Sequence, residues 1–159
     1  MSHSRKMYPV IIARLPNVYG KWSKPNYNSF ISTCCYNLSR NLKINISDEN
    51  NKMEVLYIDD LIDQLINLIK LKKIKNFSNF KLRRIDKTSV GEIYNIISKI
   101  KKQRNDLKIL DLKKRLNANL FSTYVSFFSK KKASYKLSTN KNKTGTFTEF
   151  LKGMNFGQI

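Results

Sequence analysis

The sequence predicts an α/β domain whose sheet contains a buried parallel strand. Three observations carry that expectation. In Tyr8 to Leu15 the apolar positions are continuous rather than alternating, as in a strand covered on both faces. Two later stretches, opening at Ile58 and at Ser89, space their apolar residues at helical intervals. Between them and the first strand, Arg14 to Asn28 crowds Asn, Tyr, Trp, Pro and two Lys into a loop. A strand end followed by such a loop is where open α/β sheets hold ligands.

The bulk numbers narrow the class. A chain of 159 residues suffices for one domain with its own core. No apolar run approaches the roughly 20 residues of a membrane span. Met1 to Lys6 has basic residues but no small-residue cleavage site, so a signal peptide is not expected. Cys34 and Cys35 are adjacent, which suits neither a disulfide framework nor a metal knuckle and fits a reducing cytoplasm. The formal charge of +20 could mark a nucleic-acid binder. However, Lys, Asn and Ile number 24, 18 and 17, as an AT-rich coding sequence would give, and the basic residues are spread along the chain. We read the charge as compositional drift, because a binding groove would concentrate it.

Taken in order, Tyr8 to Leu15 is the buried strand. Phe30 to Leu42 is a helix with Ile31, Cys34, Cys35, Leu38 and Leu42 on one face and Asn28 or Ser29 as cap. Lys43 to Ile46 is expected to be a short strand, Asp48 to Asn51 a turn, and Met53 to Tyr57 a second strand. Asp59 or Asp60 then caps a helix whose leucines and isoleucines run to about Leu71. A pair of acids invites a metal or acid/base reading, but at the head of a periodic run capping is the expected role. Lys72 to Asn79 is a polar connector, and Lys81 to Ile85 a candidate strand. Ser89-Val90-Gly91-Glu92 matches the capping box, with Val90, Ile93, Ile96, Ile97 and Ile100 facing inward. Leu107 to Leu112 is ambiguous. Asn117 to Phe128 reads as a helix burying Leu120, Tyr124, Phe127 and Phe128. A basic and polar linker follows, and Lys143 to Leu151 is a turn entering a strand.

These residues support a resemblance. Arg14-Leu15-Pro16-Asn17-Val18-Tyr19-Gly20, followed by Leu56-Tyr57-Ile58-Asp59-Asp60-Leu61, resembles the extended short-chain dehydrogenase/reductases of the nucleotide-sugar type. Gly20 to Ser29, Ser122-Thr123-Tyr124 and Gly145 to Leu151 look like the CapF-type reductases of capsular polysaccharide synthesis. Those enzymes reduce a UDP-linked 4-keto-6-deoxy amino sugar and join a reductase domain to a cupin. The resemblance implies a C-terminal, substrate-side part of such a reductase, an incomplete Rossmann-type domain, with the first strand of a cupin. Residues 1–130 would be the partial reductase domain, 131–143 a linker and 144–159 the start of the cupin.

By the same resemblance, Leu15 and Pro16 pass beside the nicotinamide of NADP or NAD. Asn17 meets the diphosphate of a UDP-sugar, and Lys21, Trp22, Lys24, Tyr27 and Asn28 lie along the sugar nucleotide. Ammonium groups neutralise phosphate, Asn both donates and accepts, and aromatic rings cover a sugar or uracil face. Simple loop packing is the alternative for Trp22 and Tyr27, and ion pairing or loop bracing is preferred for Arg14. The glycine-rich turn for the cofactor and the catalytic Tyr-x-x-x-Lys pair are not in these residues, and His3 is the single histidine. No catalytic or metal-binding residue is therefore assigned. The expectation is a fragment inactive by itself, complemented by an upstream chain, in a family expected to form homodimers. The competing readings are a basic polyanion-binding module and a non-functional remnant of a split gene.

Overall fold

The computed structural model describes residues 10–70, 78–106, 108–109, 111–148 and 152–153. Strand β1 (Ile11–Ala13) pairs in parallel with β4 (Ser78–Phe80), Ile11 standing opposite Ser78. The expected strand is thus parallel, but it is three residues long and not buried, because Val10, Ile12 and Leu15 are about half exposed. The ladder ends at Ala13, opposite Phe80. Instead of a loop, the chain then makes a second strand, β2 (Asn17–Tyr19), which drives Tyr19 into the core.

β2 pairs in parallel with β3 (Lys52–Tyr57), which pairs antiparallel with β5 (Asp86–Ser89), giving the order β2-β3-β5. Val55, Leu56 and Tyr57 at the end of β3 are buried, covered on both faces. One face carries the main core. There α1 (Phe30–Ser39), α3 (Val90–Asn105) and α4 (Arg115–Val125) bring together Ile31, Cys34, Cys35, Leu38, Ile93, Ile97, Ile100, Leu120 and Tyr124. The other face is thinner. It joins Leu56 to Leu61 of α2 (Ile58–Ile69) and to Leu82, with Val18, Leu65 and Phe80 against them.

Burial pushes the Cys34 thiol up to about 12, and Cys35 is raised for the same reason. Neither thiol should react in the folded protein. Alkylation with iodoacetamide followed by mass measurement should give no adduct on these two residues in native buffer and two in denaturant.

Several local expectations give way for identifiable reasons. The first helix ends at Ser39, because Asn41 takes a left-handed φ of 59° and the Leu42 amide donates back to the Asn37 carbonyl. That is a Schellman closure; it turns Leu42 outward to half exposure. Ser29, rather than Asn28, is the cap, accepting from the Ser32 amide at 3.3 Å. Lys43 to Ile46 forms no strand, and of its residues Ile44 packs against the core.

Lys81 to Ile85 is likewise not a strand. Both backbone groups of Arg83 are taken by the Gln64 side chain, and Arg84 has a φ of 60°. Strands form on either side of it instead. β3 runs into α2 with Tyr57 as the cap residue, so neither Asp59 nor Asp60 caps by its side chain. The capping box at Ser89 is half made: Ser89 accepts from the Glu92 amide, while the Glu92 carboxylate takes the Thr88 hydroxyl.

Towards the end of the chain, Lys108–Ile109 form β6, parallel to β9 (Lys152–Gly153). α4 starts two residues earlier than expected, and Phe128 is only partly buried. A short α5 (Lys130–Ala133) precedes a hairpin, β7 (Thr139–Asn142) and β8 (Gly145–Thr148), exposed throughout. The hairpin therefore begins inside the expected linker. Tyr8 and most of the 72–79 connector lie outside the described residues. None of the described helices is long and apolar enough to cross a membrane.

Candidate functional site

The turn from β1 into β2 faces the start of α1, and a cavity of about 370 Å³ lies between them. Leu15, Pro16, Asn17 and Asn28 line it, together with Ser29, Phe30 and Met53. Four of the eight expected binding residues thus meet in one place. Asn17 donates through Nδ2 to the Glu54 carbonyl at 3.3 Å, which orients the amide and leaves its second N–H and its oxygen for a ligand. The first turn of α1 opens on the same cavity, and its peptide dipoles place partial positive charge there.

The other four residues stand outside that cavity, on the loop that follows Gly20. Lys21 pairs with Asp59 at 2.9 Å and lies 5.6 Å from the Trp22 ring centroid and 5.9 Å from that of Tyr57. The hydrogen bond to Asp59 holds its ammonium above the ordinary lysine value. Lys24 sits 5.3 Å from the Tyr27 ring centroid. Trp22 and Tyr27 are each 79% exposed, so packing within the loop does not account for them.

The loop itself is braced. Trp22 and Asn26 take left-handed φ values of 58° and 54°. The Trp22 amide donates to Ser126 Oγ, the Asn26 amide to Thr33 Oγ1, and Ser23 Oγ to the Gly20 carbonyl. Ser23 and Ser32 also share a hydrogen bond. Gly20 is required at the head of the loop, since a Cβ there would collide with the Ile58 side chain. Arg14 is exposed and takes part in none of the ion pairs among the described residues, so the bracing expected of it is done by the serines and Thr33.

A part-buried ion network joins α2, β5 and the start of α4. Arg115 bridges Asp60 and Asp86 at 2.7 Å each, and Arg84 adds a second 2.7 Å contact to Asp60. Burial raises Asp86 above the usual carboxylate range, with Arg115 opposing the rise. Burial likewise raises the Tyr19 phenol, which has Asn119 and Asp86 beside it. Asp60 therefore does not cap α2 by its side chain; it is the anchor that ties α2 to α4. Its partners are 24 and 55 residues away, so no local motif could reveal them. Met53 was missed for the same reason: it reaches the cavity only because β2 and β3 pair. Among the described residues, no cluster of His, Cys, Asp and Glu could hold a metal.

Two larger cavities, about 570 Å³ each, lie near the start of α3 around Ser89 and Glu92. None of the eight expected binding residues lines either of them, so size does not decide the site here.

Similarity to known proteins identifies the family. The chain is 35% identical over 151 residues to the UDP-2-acetamido-2,6-beta-L-arabino-hexul-4-ose reductase of Pseudomonas aeruginosa, covering 95% of this chain and 40% of that protein. The crystal structure of the capsular polysaccharide assembling protein CapF from Staphylococcus aureus superposes with a TM-score of 0.85 at 35% identity, over 93% of this chain and 41% of that one. CapF with the inhibitor 3-isopropenyl-tropolone gives 0.82 at 36% identity, covering 93% of this chain and 43% of that one. The chain therefore spans about 40% of the length of the relatives it matches. Its α/β architecture is that of epimerase/dehydratase-type enzymes. Residues 2–96 match the pattern of the NAD dependent epimerase/dehydratase family, and the chain belongs to that family.

Proposed function

We propose that these residues form the nucleotide-sugar side of an NAD(P)-dependent reductase that acts on a UDP-linked 4-keto-6-deoxy amino sugar for a surface polysaccharide. The observation that carries the reading is the convergence of Leu15-Pro16-Asn17 and Asn28-Ser29-Phe30 on one cavity at the head of α1. In this reading the free N–H of Asn17 and the first turn of α1 receive the diphosphate. Lys24 adds charge, while Lys21 is already shared with Asp59. The exposed faces of Trp22 and Tyr27 cover uracil or sugar. The similarity to a reductase of a UDP-sugar supports the substrate class.

The dinucleotide is a separate matter. Of the glycines among the described residues, Gly20 is pressed against Ile58 and Gly91 against Glu49, while Gly145 lies in β8 and Gly153 in β9, and none opens a strand-to-helix phosphate-binding turn. The described residues do not fit the cofactor's pyrophosphate, and only Leu15 and Pro16 could form a wall beside its nicotinamide. The 159 residues also hold no Tyr-x-x-x-Lys segment. The proposal therefore assigns binding to this chain, not hydride transfer.

Titration calorimetry with UDP should show saturable binding. Asn17→Ala should weaken it by about 10-fold or more, the scale of one hydrogen bond to a charged group. Lys24→Ala should weaken it as well, and steeply with added salt. UDP binding indifferent to both substitutions, or NADPH oxidation by these residues alone, would count against the reading.

A further inference from the structure

The loop after Gly20 is fastened at its two left-handed residues by hydroxyl groups of the helical core. Trp22 and Asn26 have φ values of 58° and 54°, a region that is costly to a residue with a bulky side chain. The amides of these same two residues are the ones tied to the helices. The Trp22 amide donates to Ser126 Oγ at 3.2 Å, and the Asn26 amide to Thr33 Oγ1 at 2.9 Å. Each hydroxyl has already given its own proton away. Ser126 donates to the Thr123 carbonyl at 2.7 Å and Thr33 to the Ser29 carbonyl at 2.9 Å. What remains on each oxygen is acceptor capacity, which the loop amides use. A third tie lies between them: Ser23 Oγ donates to the Gly20 carbonyl and so takes the proton of the fully buried Ser32. Ser32 and Thr33 belong to α1 and Ser126 directly follows α4, two helices seated in the main core.

Nothing in the core asks for a tryptophan at this place. Trp22 is 79% exposed, and so is Tyr27, which directly follows the left-handed Asn26. Glycine would make the same turn at position 22 without strain. A backbone held against its preference, carrying a ring that the core does not use, fits a ring aimed at a ligand. We propose that Ser126 and Thr33 are positioning residues for the sugar nucleotide: by fixing the backbone at Trp22 and Asn26, they set where the Trp22 and Tyr27 rings stand before the ligand arrives. The proposal rests on the function proposed above and adds to it two residues that need not touch the ligand. A loop set in advance avoids the ordering cost that a slack loop would meet on binding. It also makes the site depend on a hydroxyl 104 residues away from the ring it serves.

The test is a mutant cycle in the full chain, read by UDP titration calorimetry well below the melting temperature. Ser126→Ala and Thr33→Val should each weaken UDP binding by about 5-fold. Trp22→Ala should weaken it by about 10-fold, the scale of one stacked base. The losses should not add. Placed on Trp22→Ala, Ser126→Ala should cost less than about 2-fold more, because the ring it positions is gone. Ser126→Thr and Thr33→Ser keep the hydroxyl and should bind as the parent does. Amide hydrogen exchange followed by NMR gives a second readout that needs no UDP. The Trp22 amide should exchange about 10-fold faster in Ser126→Ala, and the Asn26 amide about 10-fold faster in Thr33→Val. The proposal is overturned if both hydroxyl variants bind UDP as the parent does, if the Ser126 and Trp22 losses add in full, or if neither amide changes its exchange. UDP binding by the parent with additive losses removes the positioning role alone. Faster exchange in both variants of a chain that binds no UDP removes the sugar-nucleotide reading and leaves the fastened loop.

Discussion

Arg115→Ala should destabilise the fold by about 3 kcal/mol, near the lower end for removing one partner of a buried ion pair because the Arg115 side chain is itself about one-third exposed. The two carboxylates it serves are only 12% and 22% exposed, and Arg84 can compensate one of them at most. Urea unfolding followed by circular dichroism measures the loss. The effect should depend on pH in a definite direction. Burial already holds Asp86 above the usual carboxylate value in the native state, and Arg115 works against that rise. An acid whose native pKa is raised favours folding most below its unfolded value and loses that contribution as pH climbs through the native one. Without Arg115 the native value climbs further. The penalty for Arg115→Ala should therefore be largest at neutral pH and shrink as pH falls towards 4. A penalty that is flat with pH would mean that Asp86 does not feel Arg115.

Leu120→Ala should cost a comparable 2–5 kcal/mol, about 3 as a central value. Leu120 is fully buried where α4 meets α1 and α3, so the lost side chain leaves a cavity with little room to collapse. The damage should reach the binding loop as well. Ser126, directly after α4, accepts from the Trp22 amide, and Arg115 begins the same helix. Urea unfolding reads the stability, and the UDP titration reads the loop. A loss below about 1 kcal/mol would show that α4 is not seated as described.

What could be read from the sequence, and what could not, divides by range. α3 and α2 were legible because Ile93, Ile97 and Ile100, or Leu61 and Leu65, repeat at helical spacing within one stretch. β3 was legible from its apolar end, and Leu15, Pro16 and Asn17 could be singled out from the strand-end segment and Asn28 from the loop after it, while their meeting in one cavity is seen only in the fold. β2 was not, being three residues long and defined only by its pairing with β3. The role of Asp60 depended on arginines far along the chain. Leu42 fits the helical period, and only the left-handed turn at Asn41 removes it from the core. The broad apolar face of α2 was visible in the sequence too, but the share of it left bare could be seen only once the thin core was in place.

The exposed, left-handed Trp22 has a practical consequence. It is the one tryptophan in the chain, and its indole stands in solvent rather than in the core. Its emission is thus nearly blind to unfolding, which is better followed through the buried Tyr19 and Tyr124 or by circular dichroism. The same indole is a built-in reporter of whatever settles on the loop: a stacked base or sugar changes its surroundings directly, with no label and no second fluorophore of its kind to subtract.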